Sequence, residues 1–382
     1  MCDHPANVPR PLSRTSSTAI FASVRTLTVL TSGGDAPGMN AAIQAVVKIG
    51  AARGLDVYGV ERGFDGLIDG HTRLLTRHLG DSVIPEPAVD GIGALGGTVL
   101  GSSRSPRFLQ PEHRAMAAAN LRAWGSVGLI VIGGNGSIAG AHALAGECEI
   151  PVVAIPASID NDIGLTRESI GVDTALNTIV EACDRISDTA RSHHRAFIVE
   201  VMGRDSGYLA MASAVATAAD AVLLPEQSRS YDEVIDNVAA CIRHSFSEVR
   251  GKNRVLIIKA EGVDIPTHLL VDAVSAEVED IDVDVRGTVL GHLVRGGNSS
   301  FRDRLIAGRF GLVAVDVLLA GRTDLMVGWN LTDMGEASSD NFVRLFPIAD
   351  VLAETEALLD GSSTVVQDRV TRMERVQGVL AL

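Results

Sequence analysis

A short apolar run, a polar loop led by glycine or proline, and a stretch with apolar residues at helical spacing recur along most of this chain. Residues 26–30 run into Gly33-Gly34 and helical spacing over 41–52, and residues 127–132 run into Gly133-Gly134-Asn135-Gly136-Ser137 and another helix. Further strands are expected at 57–60, 152–155, 196–201, 221–224, 255–258 and 287–290. Helices are expected at 111–124, 173–189, 208–219, 231–244 and 266–278, with 301–320 and 351–359 closing the fold. Residues 72–90 read as an irregular loop. Strands alternating with helices predict an α/β fold with mainly parallel sheets covered by helices on both faces. No repeat of 20–50 residues is present.

In such a sheet, chemistry collects in the loops outside the carboxyl ends of the strands. The loop Pro156-Ala157-Ser158-Ile159-Asp160-Asn161-Asp162 stands out because it follows a buried apolar run and carries two carboxylates two residues apart behind a hydroxyl. An Asx-rich turn and a catalytic loop both fit those seven residues. The loop at 31–40 has strand, glycine turn and helix in the order that offers backbone N–H groups to an anion. Gly91-Ile92-Gly93-Ala94-Leu95-Gly96 matches a dinucleotide fingerprint in letters only. Its lead-in, Ile84-Pro85-Glu86-Pro87, is not a clean strand, and no helix clearly opens from it. No G-x-x-x-x-G-K-[ST] occurs, which excludes the P-loop class.

Charge narrows the partners. With 33 basic against 47 acidic residues the net charge is −14, which argues against nucleic acid bound through its phosphates. Lys48, Lys252 and Lys259 are the only lysines, so an anion site must rest on arginine, which suits bidentate phosphate recognition. Arg104, Arg195, Arg204, Arg286 and Arg295 all fall beside glycine loops or strand boundaries. Cys2, Cys148, Cys183 and Cys241 form no C-x-x-C pair, so free thiols are expected rather than disulfides or a zinc site. No apolar run approaches the ~20 residues of a membrane span, and a cytoplasmic location follows as the default. Residues 1–24, with Pro5, Pro9 and Pro11 and a Ser/Thr run, read as a disordered extension, and 361–382 as a C-terminal tail.

Six motifs taken together resemble the phosphofructokinase family: LTSGGDAPGMN at 30–40, GGTVLGSSR at 96–104, GGNGS at 133–137, PASIDND at 156–162, VEVMGRDSGYLA at 199–210 and TVLGHLVRGG at 288–297. They recur in the family's order across residues 26–320. The resemblance implies two doubly wound, Rossmann-like lobes with the active site in the cleft between them. The larger lobe would hold about 25–160 plus the C-terminal segment to 360, and the smaller about 161–300. It also implies an ATP-dependent kinase that phosphorylates the C1 hydroxyl of fructose 6-phosphate with Mg²⁺.

Carried over by position, Asp160 is the general base, Ser158 a substrate contact, Asp162 a second acidic residue beside metal and sugar, and Arg204 the stabiliser of the transferring phosphoryl. Gly34, Arg104, Gly134, Asn135, Gly136 and Ser137 match nucleotide contacts, and Phe64 falls where a ring meets adenine. Met202, Gly203, Glu261 and His292 match sugar-phosphate contacts, with Arg295 on the 6-phosphate. Arg195 and Arg286 match residues that reach into a neighbouring subunit's site, which implies a homo-oligomer, typically a tetramer.

Three departures follow. The family's metal loop reads GGDGS, and Asn135 stands in place of its Asp, which removes a charge a hard cation favours. Reduced turnover is expected, and alternatives are a non-catalytic sugar-phosphate or nucleotide binder that regulates an active paralogue, or a kinase for another phosphorylated sugar. Gly136 and Ala157 stand where pyrophosphate-dependent relatives carry Asp and Lys, which favours ATP as donor. Gln44, Lys48 and Ser187 stand at effector-site arginine positions, so activation by nucleoside diphosphates is expected to be weak or absent.

Overall fold

The computed structural model describes residues 25–330 and 334–371. The expected extension at 1–24 and the last residues of the expected tail, 372–382, lie outside the described residues.

Among the described residues two sheets carry the fold. The larger has the order Glu336–Ala337, Val343–Pro347, Leu325–Trp329, Val152–Pro156, Ser126–Gly133, Thr26–Ser32, Asp56–Val60, Thr72–Leu74. Its middle five strands run parallel, and its two margins are antiparallel. The smaller, Asp284–Val289, Arg195–Val201, Val255–Ala260, Ala221–Leu223, is parallel throughout. Thr26–Ser32, Val152–Pro156 and Val255–Ala260 are buried at every position, because helices cover both faces. The chain is the α/β protein the alternation predicts, with the two lobes the resemblance implies.

The order explains the position of the cleft. From the first strand the chain goes outward to 56–60 and then returns to the other side at 126–133, so the strand order reverses there. Register sets Ser32 beside Gly133 and Gly133 beside Pro156, which aligns three carboxyl-end loops at that reversal.

Three features depart from expectation. Residues 72–90 are not irregular. Thr72–Leu74 adds an antiparallel edge to the large sheet, and Thr76–Leu79 pairs with Ser82–Pro85 as a hairpin. Its two-residue turn begins at Gly80, whose φ of +59° suits the twist of flanking strands. Leu325–Trp329 and Val343–Pro347 are strands that helix-only closure did not anticipate. Residues 364–371 of the expected tail are helical, with Ser363 and Val366 buried.

Asp303 ties the lobes together. It is fully buried in the first turn of helix Phe301–Leu319 and accepts from Gly171 N (2.8 Å), Thr174 N (2.9 Å) and Thr174 Oγ1 (2.5 Å) at the start of helix Val172–His193. Ser300, the cap of the Asp303 helix, donates its N–H to Thr174 Oγ1 at 2.9 Å. A Cβ on Gly38, which precedes helix Met39–Ala52, would stand 3.3 Å from Asp303 Cβ. Two helix N-termini, its own and that of Val172–His193, therefore converge on this carboxylate.

Burial pushes that carboxyl up to about 6 against the donors that pull it down. An acid whose pKa is higher folded than unfolded binds its proton more tightly in the folded state. The stability it contributes is therefore present at low pH and falls as pH rises from the ordinary carboxylate value of 3.8 towards about 6. Asp303→Asn, which buries no charge, is expected to flatten that decline in urea unfolding measured across the same window.

Candidate active site

A cavity of about 610 Å³ opens where the carboxyl-end loops of the large sheet face the small lobe. Its floor is backbone. Gly33, at φ +86°, turns the chain away from the first strand, and Ser102 Oγ donates to its carbonyl at 2.7 Å. Gly133 admits no side chain, since a Cβ there would stand 2.5 Å from Ser32 O. Gly134 leads in extended conformation into helix Asn135–Cys148, whose first N–H groups have no partner within the helix and meet the cavity. Gly34, Gly136 and Ser137 complete this wall, and the exposed Arg104 stands at its rim.

The far end is apolar. Phe64 stacks on Phe108 with ring centroids 3.9 Å apart and planes 14° apart. Gly140 makes room for the pair, since a Cβ there would meet Phe64 at 3.0 Å and Phe108 at 3.2 Å. Phe108, Leu109, Gly140 and Ala143 line this end and were not singled out from sequence. The cue available was Phe108 in the loop that follows Arg104. The cavity thus passes from apolar to amide-lined, the polarity gradient of a nucleotide's base and phosphates.

The opposite wall is the 156–162 loop. Asn161 sits at φ +49°, accepts from Ser169 N (3.1 Å) and donates to Arg167 O (3.1 Å), so it is the residue that shapes the loop. Ser158 Oγ accepts from Asp160 N at 3.2 Å. The Asp160 carboxylate is 3% exposed and is met by Arg204 Nε at 3.5 Å and by Arg295 Nη2 at 3.8 Å. Its Oδ1 has no hydrogen-bond partner. Burial raises its pKa, opposed by Arg295 and then Arg204. Asp162 is pushed to about 6 by burial and then by Asp160. A buried carboxylate with one orphan oxygen and two flanking cations has the surroundings that suit a general base.

Arg204 enters from the small lobe on a kinked turn, with Gly203 at φ +149° and Arg204 at φ +51°. Glu261 Oε1 holds that turn by accepting from Gly203 N (3.1 Å) and Arg204 N (2.7 Å). One oxygen of this expected sugar contact is thus spent on positioning Arg204. Arg295 donates to Asp35 O at 3.1 Å, which joins the 33–35 turn to Asp160.

The remaining expected residues do not line this cavity. Met202 packs against the core, and His292 is exposed on the Gly291–Arg295 turn. Arg195 and Arg286 sit on adjacent strands at the small sheet's edge and share Asp284 at 2.8 and 2.9 Å. Gln44 and Lys48 are engaged with Val89 O and Asp90, and Ser187 is buried.

Among the described residues no three His, Cys, Asp or Glu side chains gather closely enough to hold a metal ion by themselves. Asn135 Oδ1, however, is buried without a hydrogen-bond partner while its Nδ2 donates to Asp162 O at 3.3 Å, and both residues line the cavity. An amide oxygen and one carboxylate fit a divalent cation that brings further oxygen ligands on phosphates and water.

Residues 26–318 match the phosphofructokinase family model. The ATP-dependent 6-phosphofructokinase of Thermotoga petrophila is 47% identical over 309 residues, covering 80% of this chain and 89% of that one. That of Thermotoga neapolitana is 44% identical over 340 residues, covering 88% and 96%. Among solved structures, Saccharomyces cerevisiae phosphofructokinase superposes with a TM-score of 0.75 at 32% identity, covering 92% of this chain. This chain spans 48% of the yeast chain's length. Pyrophosphate-dependent phosphofructokinase from Marinobacter aquaeolei superposes with a TM-score of 0.70 at 20% identity, covering 86% and 84%, a likeness of fold alone.

Proposed function

The chain belongs to the phosphofructokinase family, and from that premise we propose that it transfers the γ-phosphoryl of ATP to the C1 hydroxyl of fructose 6-phosphate. The observation that carries this is Asp160, buried between Arg204 and Arg295 on the wall of a cavity graded from apolar to amide-lined.

Asp160 takes the C1 proton as the hydroxyl attacks. Burial makes its carboxylate a stronger base than a solvated one, while the two arginines keep it ionised. Arg204 stabilises charge on the transferring phosphoryl, and the Gly34 and Gly134–Ser137 amides orient the donor's phosphates. Asn135 and Asp162 would hold the divalent metal, which we take to be Mg²⁺ and which neutralises phosphate charge when bound. Arg295 lies beside both Asp35 and Asp160, which supports it as an anion contact, with Ser158, Met202, Gly203 and His292 on the sugar side. The lack of any atom within 4 Å of a Cβ on Gly136 leaves room for a triphosphate, in support of ATP over pyrophosphate.

Arg195 and Arg286, on neighbouring strands away from the cavity and both held by Asp284, support a role in a neighbouring subunit's site, hence a homo-oligomer, which we take to be a tetramer. No helix of the described residues is long and apolar enough to cross a membrane, and the cytoplasm is the compartment we propose. A coupled assay with fructose 6-phosphate, Mg²⁺ and either ATP or pyrophosphate tests the proposal. Turnover with ATP supports it, and turnover with pyrophosphate alone overturns the donor. Asp162 titrates near 6, and a protonated Asp162 no longer offers charge to a metal, so kcat/KM is expected to fall as pH drops through about 6.

Asn135→Asp adds the missing charge beside Asp162. We expect it to lower the half-saturating Mg²⁺ concentration several-fold, because carboxylate oxygen is the better ligand for a hard cation. A titration of activity against Mg²⁺ reads this directly, and an unchanged midpoint would remove Asn135 from the metal site.

A further inference from the structure

The family match ends at residue 318, yet the chain continues into a segment that touches Gly164, four residues past Asp160, and Tyr208, four residues past Arg204. Helix Ile348–Leu359 lies directly on the loop that follows Asp162. Gly164 N donates to Thr355 Oγ1 at 2.9 Å, and a Cβ on Gly164 would stand 2.6 Å from Val351 O and 2.8 Å from Glu354 Cβ. Backbone meets helix there with no side chain between, so the helix and the Asp160 loop cannot shift independently.

Beyond Leu359 the chain turns back. Ser363 Oγ donates to Glu354 Oε1 at 2.6 Å, Val366 is buried, and residues 364–371 are helical. The guanidinium of Arg369 then lies 5.0 Å over the ring of Tyr208, the first residue of helix Tyr208–Ala216. Tyr208 stands four residues past Arg204 on the other lobe. The neighbouring Glu226 also anchors this turn, its Oε1 accepting from Gly207 N at 2.8 Å. Burial lowers the pKa of Arg369, while Tyr208 and Glu226 favour its charged form. A half-buried guanidinium over an aromatic face is a stronger contact than a fully solvated one.

A cavity of about 620 Å³ separates much of the segment from this lobe, with Asp205, Glu226 and Ser228 on one side and Leu358, Val366 and Val370 on the other. The grip on the Arg204 turn is therefore concentrated at Arg369.

We propose that residues 348–371 are a strap across the two lobes that sets the spacing of Asp160 and Arg204, with Thr355 and Arg369 as its positioning residues. This rests on the catalytic reading of Asp160 and Arg204 given above. The strap reaches the base from behind through Gly164 and the arginine from behind through Tyr208. It touches neither substrate, so its loss would misplace the pair without removing a binding group.

The test uses the full chain with Arg369→Ala, Arg369→Lys and Thr355→Val, each measured for kcat, for KM of ATP and of fructose 6-phosphate, and for melting temperature. Arg369→Ala is expected to lower kcat by about tenfold, as small misplacements of reacting groups do. KM for ATP should stay at the wild-type value, and Arg369→Lys should recover most of the rate. Thr355→Val, which keeps its shape but cannot hold the Gly164 N–H, is expected to lower kcat in the same sense and covers the case in which Arg369→Ala does not fold. Wild-type kcat in both Arg369→Ala and Thr355→Val, or no recovery with lysine, overturns the strap. Asp160→Ala in the same assay separates the two readings. An inactive Asp160→Ala beside fully active Arg369→Ala and Thr355→Val removes the strap alone, whereas an active Asp160→Ala removes the catalytic reading beneath it.

Discussion

Asp160→Ala is expected to lower kcat by about 10²–10⁴-fold, the usual contribution of a positioned general base, while KM for ATP changes little. The cavity proposed for ATP is built chiefly from backbone amides of the 33–34 and 134–137 loops and from the Phe64–Phe108 wall, none of which depends on the Asp160 side chain. The Asp160 loop should also survive the change. Its shape is set by Asn161, through Ser169 N and Arg167 O, and by Ser169 Oγ donating to Ser158 O at 2.5 Å. The alanine also relieves a buried, partly unpartnered carboxylate, so the melting temperature should hold or rise while activity collapses. Steady-state kinetics beside a thermal melt gives both numbers. Activity near the wild-type level would assign the base elsewhere, and Asp162, already pushed to about 6, would be the next carboxylate to examine.

Arg204→Ala carries the second large effect, a fall in kcat of about 10³-fold, the lower range for an arginine that stabilises a transferring phosphoryl. This variant separates chemistry from folding because the Arg204 turn is held by its backbone. Glu261 accepts the N–H groups of residues 203 and 204 whatever side chain follows, and the +51° φ of Arg204 is no harder for alanine than for arginine. Lysine should restore little. Its ammonium is a single point charge, whereas the guanidinium offers a planar fork able to face Asp160 and a phosphoryl oxygen together. KM for fructose 6-phosphate rising alone, with kcat intact, would recast Arg204 as a binding residue only.

Much of the architecture was legible because buried parallel strands are short aliphatic runs with abrupt glycine or proline ends. Residues 127–132 and 152–155 could hardly be anything else, and the loops after them carried the chemistry. Less was legible where structure depends on distant partners. The 325–329 strand is ordinary in sequence and becomes a strand by pairing with 152–156 on one side and 343–347 on the other. The hairpin at 76–85 had a visible signal in its Gly80-Asp81 turn, which was obscured by the prolines at 85 and 87.

Asp160 and Arg204, singled out in the sequence, line one cavity, but the groups that hold them were not legible there. Glu261 matched a sugar contact, and only its geometry gives it the task of fixing the Arg204 turn. Phe108 and Gly140 escaped notice because apolar residues that line a pocket look like core in a sequence. Arg295 was expected on the sugar's phosphate, and its bond to Asp35 O adds a link between donor loop and base that spacing cannot reveal.

The carboxylate of Asp303 has a consequence for how this protein can come apart. Ordinarily the first turn of a helix frays cheaply, since its amides exchange a cap for water at little loss. Here the opening amides of the 172–193 helix are held by a side chain belonging to another helix, itself sealed from solvent. Releasing them means parting two packed helices and breaking the three hydrogen bonds that converge on Asp303, a larger event than the fraying of a single turn. The helix that follows the Asp160 loop is thereby denied a small, local opening at its first turn.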